Sequence, residues 1–460
     1  MSSVRTHGAT KVRPASQDDK SLDLLDCLAF LIPFLRVVQL KVIGTLSGSD
    51  VAIAIIFLCL ALGRRFNLKP RGAKTLLILC SLWLVSQCVT DVVRHTAFRD
   101  YARGWSNIGF TLATFTIFFT ILYGRPKRLT LYAWGLVIGT LLQSWITPDK
   151  YMQGDPWKFG ISYPVTWAIL LFASRKKCRD PWPVALAMAA GVLNMALGTR
   201  STGGFCLAAA LYLSVTRFLR NRAARGVKLK VGTIAAVAAT LAIGAIGIVW
   251  AYSYAAKAGM LGEQARNKYK LESGGKYGLL LGGRVEVLAS IPAIYASPIL
   301  GHGSWARDPL YVYMEKRALA LLGYDVREEM DLEAFKEGYI PEHSYILGAW
   351  VSAGILGAVF WFWVFILVVR ALSRVYPASV PLLPFAAFAG FETLWDLLFS
   401  PYGSEMRIIT PFYVVLLMTC MTMASRASAN AIAGLVRKPQ SGSKAAALRA
   451  STVASSARTS

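Results

Sequence analysis

Acidic residues are scarce: 25 Asp and Glu stand against 50 Lys and Arg, a formal charge of +25. Histidine is scarcer, with four in 460 residues, and there are seven cysteines. Each shortage excludes something. All the cysteines except Cys178 lie inside or at the edge of apolar runs, without the spacing of a disulfide framework or a zinc site. The one long polar stretch in the body of the chain, 253–343, holds none, which excludes a structural disulfide or a cysteine zinc site there. The first twenty residues lack an apolar core, so no cleavable signal peptide is expected. No internal repeat is visible, which argues against an inverted-repeat transporter. The basic excess does not point to nucleic acid, because it is spread over short connections and the two tails instead of one folded surface.

What the chain has in abundance is apolar length. Hydrophobic residues make up 55% of it, and the mean hydropathy is +0.47. A bilayer core of about 30 Å needs about 20 apolar residues per helical span, and runs of that kind recur along nearly the whole sequence. The expected fold is all-α, a polytopic membrane protein with about twelve transmembrane helices and one large periplasmic loop containing amphipathic helices.

The spans are expected at 24–43, 50–63, 75–93, 107–124, 129–146, 161–174, 184–198, 204–219, 231–252, 344–372, 379–399 and 407–425. Residues 1–22 read as a cytoplasmic tail, 23–252 as a bundle of about nine helices, and 253–343 as the large loop. Residues 344–425 read as three further spans and 426–460 as a disordered basic cytoplasmic tail. Alternate short connections are the basic ones, so both termini are expected in the cytoplasm and the large loop outside. In the loop, Arg284 to Leu300 has helical apolar spacing between Gly282-Gly283 and Gly301-His302-Gly303, as in an amphipathic helix at a membrane surface. Val326 to Glu337 reads as a solvated acidic helix.

Three residues with chemical capacity fall on the expected outer face: Arg200, Arg284 and His343. Each has a plain structural reading. Arg200 could snorkel from its tight turn, Arg284 could bind lipid headgroups, and His343 could be a satisfied interfacial residue. Together they point further. Two outer-face arginines run against the positive-inside trend, and guanidinium groups bind phosphate bidentately. A histidine can take a proton from a hydroxyl near neutral pH. This is equipment for transferring a group away from a lipid-linked pyrophosphate, with the leaving group's charge stabilised by arginine. Glu342 and Ser344 flank the histidine as candidate supporting residues, and Glu342 could orient it or raise its pKa. Glu392 and Asp396 lie one helical turn apart inside a span. They could pair with Arg407 or Arg36 as structure, or line an acceptor cavity. Asp331 and Glu333 form a weak metal pair on paper, set in the solvated acidic helix.

The segments around these residues resemble the O-antigen ligase and O-antigen polymerase superfamily of polytopic bacterial glycosyltransferases. The first segment is Leu197-Gly-Thr-Arg200-Ser-Thr-Gly203, an arginine in a short turn before a membrane helix. The second is Gly283-Arg284-Val-Glu-Val-Leu-Ala with Ser297-Pro-Ile-Leu-Gly301-His-Gly303. The third is Glu342-His343-Ser-Tyr-Ile-Leu followed by Ala353-Gly-Ile-Leu-Gly357. The resemblance covers roughly the second half of the chain. It departs at Ser344, where the family often has Asn, and at Thr199, where it often has Ser.

The resemblance implies a donor glycan on undecaprenyl pyrophosphate, His343 as the base that activates an acceptor hydroxyl, and Arg200 and Arg284 on the pyrophosphate. It implies inversion at the anomeric carbon, no metal and no other cofactor, in the bacterial inner membrane with the site on the periplasmic side. The acceptor would be lipid A-core for a ligase, or a lipid-linked repeat unit for a polymerase, possible partners including membrane lipids and a chain-length regulator. A reading of another class is a flippase or exporter of lipid-linked oligosaccharide. Its charges are expected near the membrane midplane, away from the outer surface.

Overall fold

The computed structural model describes residues 22–42, 44–66, 68, 70, 72–175, 180–224, 287–323, 338–374, 376–377 and 380–437, with scattered positions between 247 and 270. Helices dominate. They are α1 (Leu24–Phe34), α2 (Gly48–Leu62), α3 (Ala73–Val93), α4 (Phe98–Ile121), α5 (Pro126–Ile146), α6 (Lys150–Gly154), α7 (Ser162–Ser174), α8 (Trp182–Ala196) and α9 (Arg200–Ala224). After the sparsely described stretch come α10 (Val287–Ala296), α11 (Pro309–Leu321), α12 (Tyr345–Ala353), α13 (Ile355–Leu372), α14 (Leu383–Phe399) and α15 (Met406–Arg437). Among the described residues five helices are long and apolar enough to cross a membrane: Ala73–Val93, Pro126–Ile146, Arg200–Arg222, Ile355–Leu372 and Met406–Ala427. The protein is an all-α membrane protein. The expected span at 231–252 and the acidic helix at 326–337 lie almost wholly or wholly outside the described residues.

The first expected span is not one. Pro33 sits in α1, which ends after 11 residues, and the chain then forms a β-hairpin, β1 (Gln39–Val42) against β2 (Gly44–Ser47). At 1.5 Å per residue α1 is about 16 Å long, half a bilayer core. Arg36 and Lys41 weaken the apolar pattern of this segment, and two of its buried polar residues, Asp26 and Arg36, have partners. Arg128 Nε donates to Asp26 at 2.9 Å, and Arg36 Nε donates to the Gln143 side chain at 2.8 Å. Such polar groups remain in an apolar bundle only because they are paired. The hairpin leads into α2 through a capping box, in which Ser47 and Asp50 satisfy each other's backbone amides.

Two other boundaries differ from expectation. Helix α4 begins at Phe98, so Arg99, Asp100 and Arg103 are helical instead of lying in a loop. Helix α15 runs to Arg437, into the stretch expected to be disordered. Four of the twelve residues from 426 to 437 are alanine, which favours continuation of a helix already held by packing.

Among the described residues the larger apolar cluster has α15 and α14 near its centre, with Phe385, Phe388, Phe412, Tyr413 and Val414 all fully buried, and a smaller one joins Ala289, Ala293, Tyr311, Ile340 and Val351. Helix α14 packs against α9, α7, α13, α15 and α12. The expected span 344–372 is two helices, broken at Gly354, whose φ is +69° and ψ −163°. That conformation is open only to glycine. A Cβ there would lie 1.9 Å from the Ile299 carbonyl oxygen, so the site is also sterically closed.

Gly354→Ala is therefore expected to lower stability by at least ~2 kcal/mol, through backbone strain and the clash together. A clear fall in the thermal unfolding midpoint of the detergent-purified variant would bear this out. An unchanged midpoint would show that the break is not fixed by glycine.

Candidate functional site

The break in the helix creates a problem of unsatisfied backbone. The last carbonyls of α12 have no partners in their own helix and sit in apolar surroundings. The loop after α10 supplies them. His302 N donates to Val351 O at 2.7 Å, Gly303 N donates to Ser352 O at 3.0 Å, and Ser86 Oγ donates to Ala353 O at 2.7 Å. The loop in turn is held by α3. Asp91 is buried and accepts from Ser304 N at 2.6 Å, Ser304 Oγ at 2.7 Å and Trp105 Nε1 at 2.8 Å. Arg94 donates to Gly301 O at 3.1 Å and to Ser297 Oγ at 2.8 Å. His302 is part of this structure, its ring 2.8 Å from Ala293 O and edge-on to Tyr311.

The same docking positions His343. Upstream, Ile340 N donates to Ala306 O at 3.0 Å and Ser290 Oγ donates to Pro341 O at 2.9 Å. Downstream, Ser344 caps α12, accepting from Leu347 N at 3.1 Å and donating to Leu397 O on α14 at 2.8 Å. The histidine between these anchors is exposed. It therefore stands at the N-terminus of a helix, in positive dipole potential, on a backbone fixed from both sides. Ser344 supports the helix start through its cap and keeps its own side chain buried.

Glu342 does not act on His343 directly. No hydrogen bond joins them, and the half-buried Glu342 packs against Gly348, where an added Cβ would be 2.9 Å from Oε2. Burial pushes the Glu342 carboxyl up to about 8. That shift favours the neutral carboxylic acid over the carboxylate.

Arg200 lies outside the tight turn expected for it. Gly198, at φ +83°, and Thr199 make the turn, and Arg200 is the first residue of α9. Gly203 belongs to the helix, where its lack of a side chain lets α9 approach α8: an added Cβ would be 2.9 Å from Gly191 O. Helix α9 reaches α14 through Phe205, whose ring lies 5.7 Å from that of Trp395 and 6.2 Å from that of Phe388. The elements that carry Arg200 and His343 thus rest on one helix, α14. Arg284 lies outside the described residues, as do Asp331 and Glu333.

Between those two elements α14 carries Glu392 and Asp396, both buried. The expected pairing with Arg407 or Arg36 does not occur. Arg407 reaches Asp50 at 3.3 Å and donates to Thr45 O at 3.2 Å, on the hairpin side of the bundle, and Arg36 is taken by Gln143. The carboxyls face hydroxyls instead: Tyr163 and Tyr413 for Glu392, and Tyr345 and Ser400 for Asp396. Tyr413 accepts from Trp167 Nε1 at 2.9 Å, and one oxygen of Glu392 has no hydrogen-bond partner. A buried carboxyl pair ringed by tyrosines beside α12 can exchange or hold protons.

Sequence reasoning missed Asp91 and Ser304, although they fasten the loop that positions His343. A signal was present: Arg94, His95, Arg99 and Arg103 cluster between two expected spans, on the face where basic residues are not expected.

The Glu342 shift carries a pH dependence. A buried carboxyl with a raised folded-state pKa binds more protons than the unfolded chain, so its contribution to stability is present in acid and lost as pH rises from about 4.5 through about 8. Glu342→Gln, which keeps the neutral shape, is expected to flatten that loss. Unfolding midpoints of wild type and variant, measured from pH 6 to 9, check this; parallel curves would refute the raised pKa.

The chain matches no protein-family model and no characterised protein in sequence, so the chemistry of this site rests on its own residues.

Proposed function

We propose that the protein is an inverting glycosyltransferase of the O-antigen ligase or polymerase type, moving a glycan from undecaprenyl pyrophosphate to an acceptor hydroxyl. The observation that supports it is the setting of His343: an exposed histidine at a fixed helix start, on an element that shares α14 with the helix opened by Arg200. The motif resemblance of the second half of the chain agrees with the same reading.

In this scheme His343 removes the proton from the acceptor hydroxyl as its oxygen attacks the anomeric carbon. The bond between that carbon and the pyrophosphate oxygen breaks, and the electron pair leaves with undecaprenyl pyrophosphate. Arg200 and Arg284 balance the charge on the departing pyrophosphate. Attack from the side opposite the leaving group inverts the sugar carbon. By the same resemblance the reaction uses no metal, takes place at the periplasmic side of a bacterial inner membrane, and belongs to a fold of about twelve spans around one large loop.

The two acceptor readings share this chemistry. A ligase delivers a finished chain to lipid A-core; a polymerase delivers a growing chain to the next lipid-linked unit. One observation favours the exporter reading, the buried Glu392 and Asp396 within the bundle. It does not account for a histidine held at the bundle end.

His343→Ala, expressed in a strain lacking the native gene, is expected to reduce transfer by about 10²–10⁴-fold, the usual contribution of a general base. A gel of surface polysaccharide with an extract of lipid-linked glycan reads the result. Long chains retained on the carrier lipid mark a ligase, and single repeat units a polymerase. Wild-type polysaccharide from a normally inserted variant would sink the mechanism.

A further inference from the structure

The turn that docks into the helix break continues into Trp305, which has φ +54° and is 52% exposed. A bulky aromatic residue rarely occupies the left-handed region, and the strain costs about 1–3 kcal/mol. The surroundings enforce it. Ser304, its neighbour, gives both its amide and its hydroxyl to buried Asp91. Helix α4 comes so close at Gly104 that an added Cβ would lie 2.0 Å from Ser304 Oγ. This construction holds an indole half in solvent against its backbone preference. A tryptophan that only anchors a membrane interface needs no such device.

Charge gathers around the ring. The Arg103 guanidinium lies over the Trp305 indole, 5.5 Å from its centroid. Its Nε is buried without a hydrogen-bond partner, and among the described residues no carboxylate pairs with it. Tyr339 meets Trp305 edge-on at 5.8 Å. Arg307 donates to the Tyr339 hydroxyl at 2.8 Å and lies 3.4 Å from Asp100, which neutralises it. Among the described residues Arg103 is therefore a cation without a carboxylate partner, beside a rigid exposed aromatic face.

We propose that Arg103, Trp305, Arg307 and Tyr339 bind a phosphorylated sugar. The indole and phenol rings take the apolar face of the sugar, and the Arg103 guanidinium, prealigned on the indole, takes the phosphate. Arg307 and the Tyr339 hydroxyl supply polar contacts that orient the sugar hydroxyl groups. The site is at the end of the bundle that carries His343, since Tyr339 and His343 share the segment fixed to Ala306 and Leu397. It does not rest on glycan transfer, and its test measures binding alone.

The full-length protein in phosphatidylcholine nanodiscs is titrated with glucose 1-phosphate, inorganic phosphate and glucose, and binding is followed by calorimetry and tryptophan fluorescence. Glucose 1-phosphate is expected to bind at least about tenfold more tightly than either part alone. Arg103→Met, which keeps the apolar stem, and Trp305→Ala are each expected to weaken it about tenfold or more. Trp305→Phe retains a ring and is expected to lose less, which keeps the test open if the alanine variant folds poorly. Nanodiscs doped with a prenyl-phosphate-linked glucose identify the source: competition with free glucose 1-phosphate assigns the headgroup to a lipid, and no competition assigns it to a soluble sugar phosphate. Equal affinity for inorganic phosphate and glucose 1-phosphate would overturn the proposal. So would unchanged binding in both Arg103→Met and Trp305→Phe.

Discussion

A helix interrupted inside an apolar bundle must have its orphaned carbonyls satisfied by protein, and the architecture around His343 follows from that constraint. The break at Gly354 exposes the end of a nine-residue helix, and His302, Gly303 and Ser86 close it. The closing loop has to be fastened elsewhere, so it brings Asp91, Arg94 and Gln87 of the α3 end into contact with residues more than two hundred positions away. His343 and Trp305 are both exposed on this assembly. One begins the short helix, and the other follows the loop that ends it.

The constraint also explains why charged side chains survive in so apolar a chain. Arg128 with Asp26, Arg407 with Asp50 and Arg36 with Gln143 each join segments distant in sequence. Such buried pairs add little net stability, but losing one partner strands a charge. Glu392 and Asp396 differ, because they face tyrosine hydroxyls rather than cations. They are polar groups kept within the bundle without structural neutralisation, and they lie on the helix shared by the elements of Arg200 and His343.

The helical nature of the chain and its major spans were legible in the sequence, because apolar length is a direct signal. Ala73–Val93, Pro126–Ile146 and Ile355–Leu372 largely coincide with the expected spans 75–93, 129–146 and the later part of 344–372. Interruptions were harder to read. Gly354 looks like one glycine among several in an apolar run, and only the approach of Ile299 reveals its left-handed backbone. Pro33 was visible, but its outcome, a hairpin in place of a span, depends on contacts such as Val37 O with Thr147. At the site, the sequence marked His343 through its place at a polar-to-apolar junction. It could not reveal that Glu342 turns toward Gly348, or that α14 lies between the two motifs, because tertiary packing sets both.

The chemistry proposed for His343 requires a glycan–pyrophosphate bond to be broken at the end of the bundle that carries it. The most direct measurement reconstitutes the purified protein in liposomes with radiolabelled undecaprenyl-pyrophosphate-linked glycan and an acceptor, then separates free carrier lipid from glycosylated carrier. Free undecaprenyl pyrophosphate appearing in step with glycosylated acceptor is the predicted result. Glycan that crosses the membrane while still attached to its carrier, with no free pyrophosphate formed, would contradict the claim and mark the protein as an exporter.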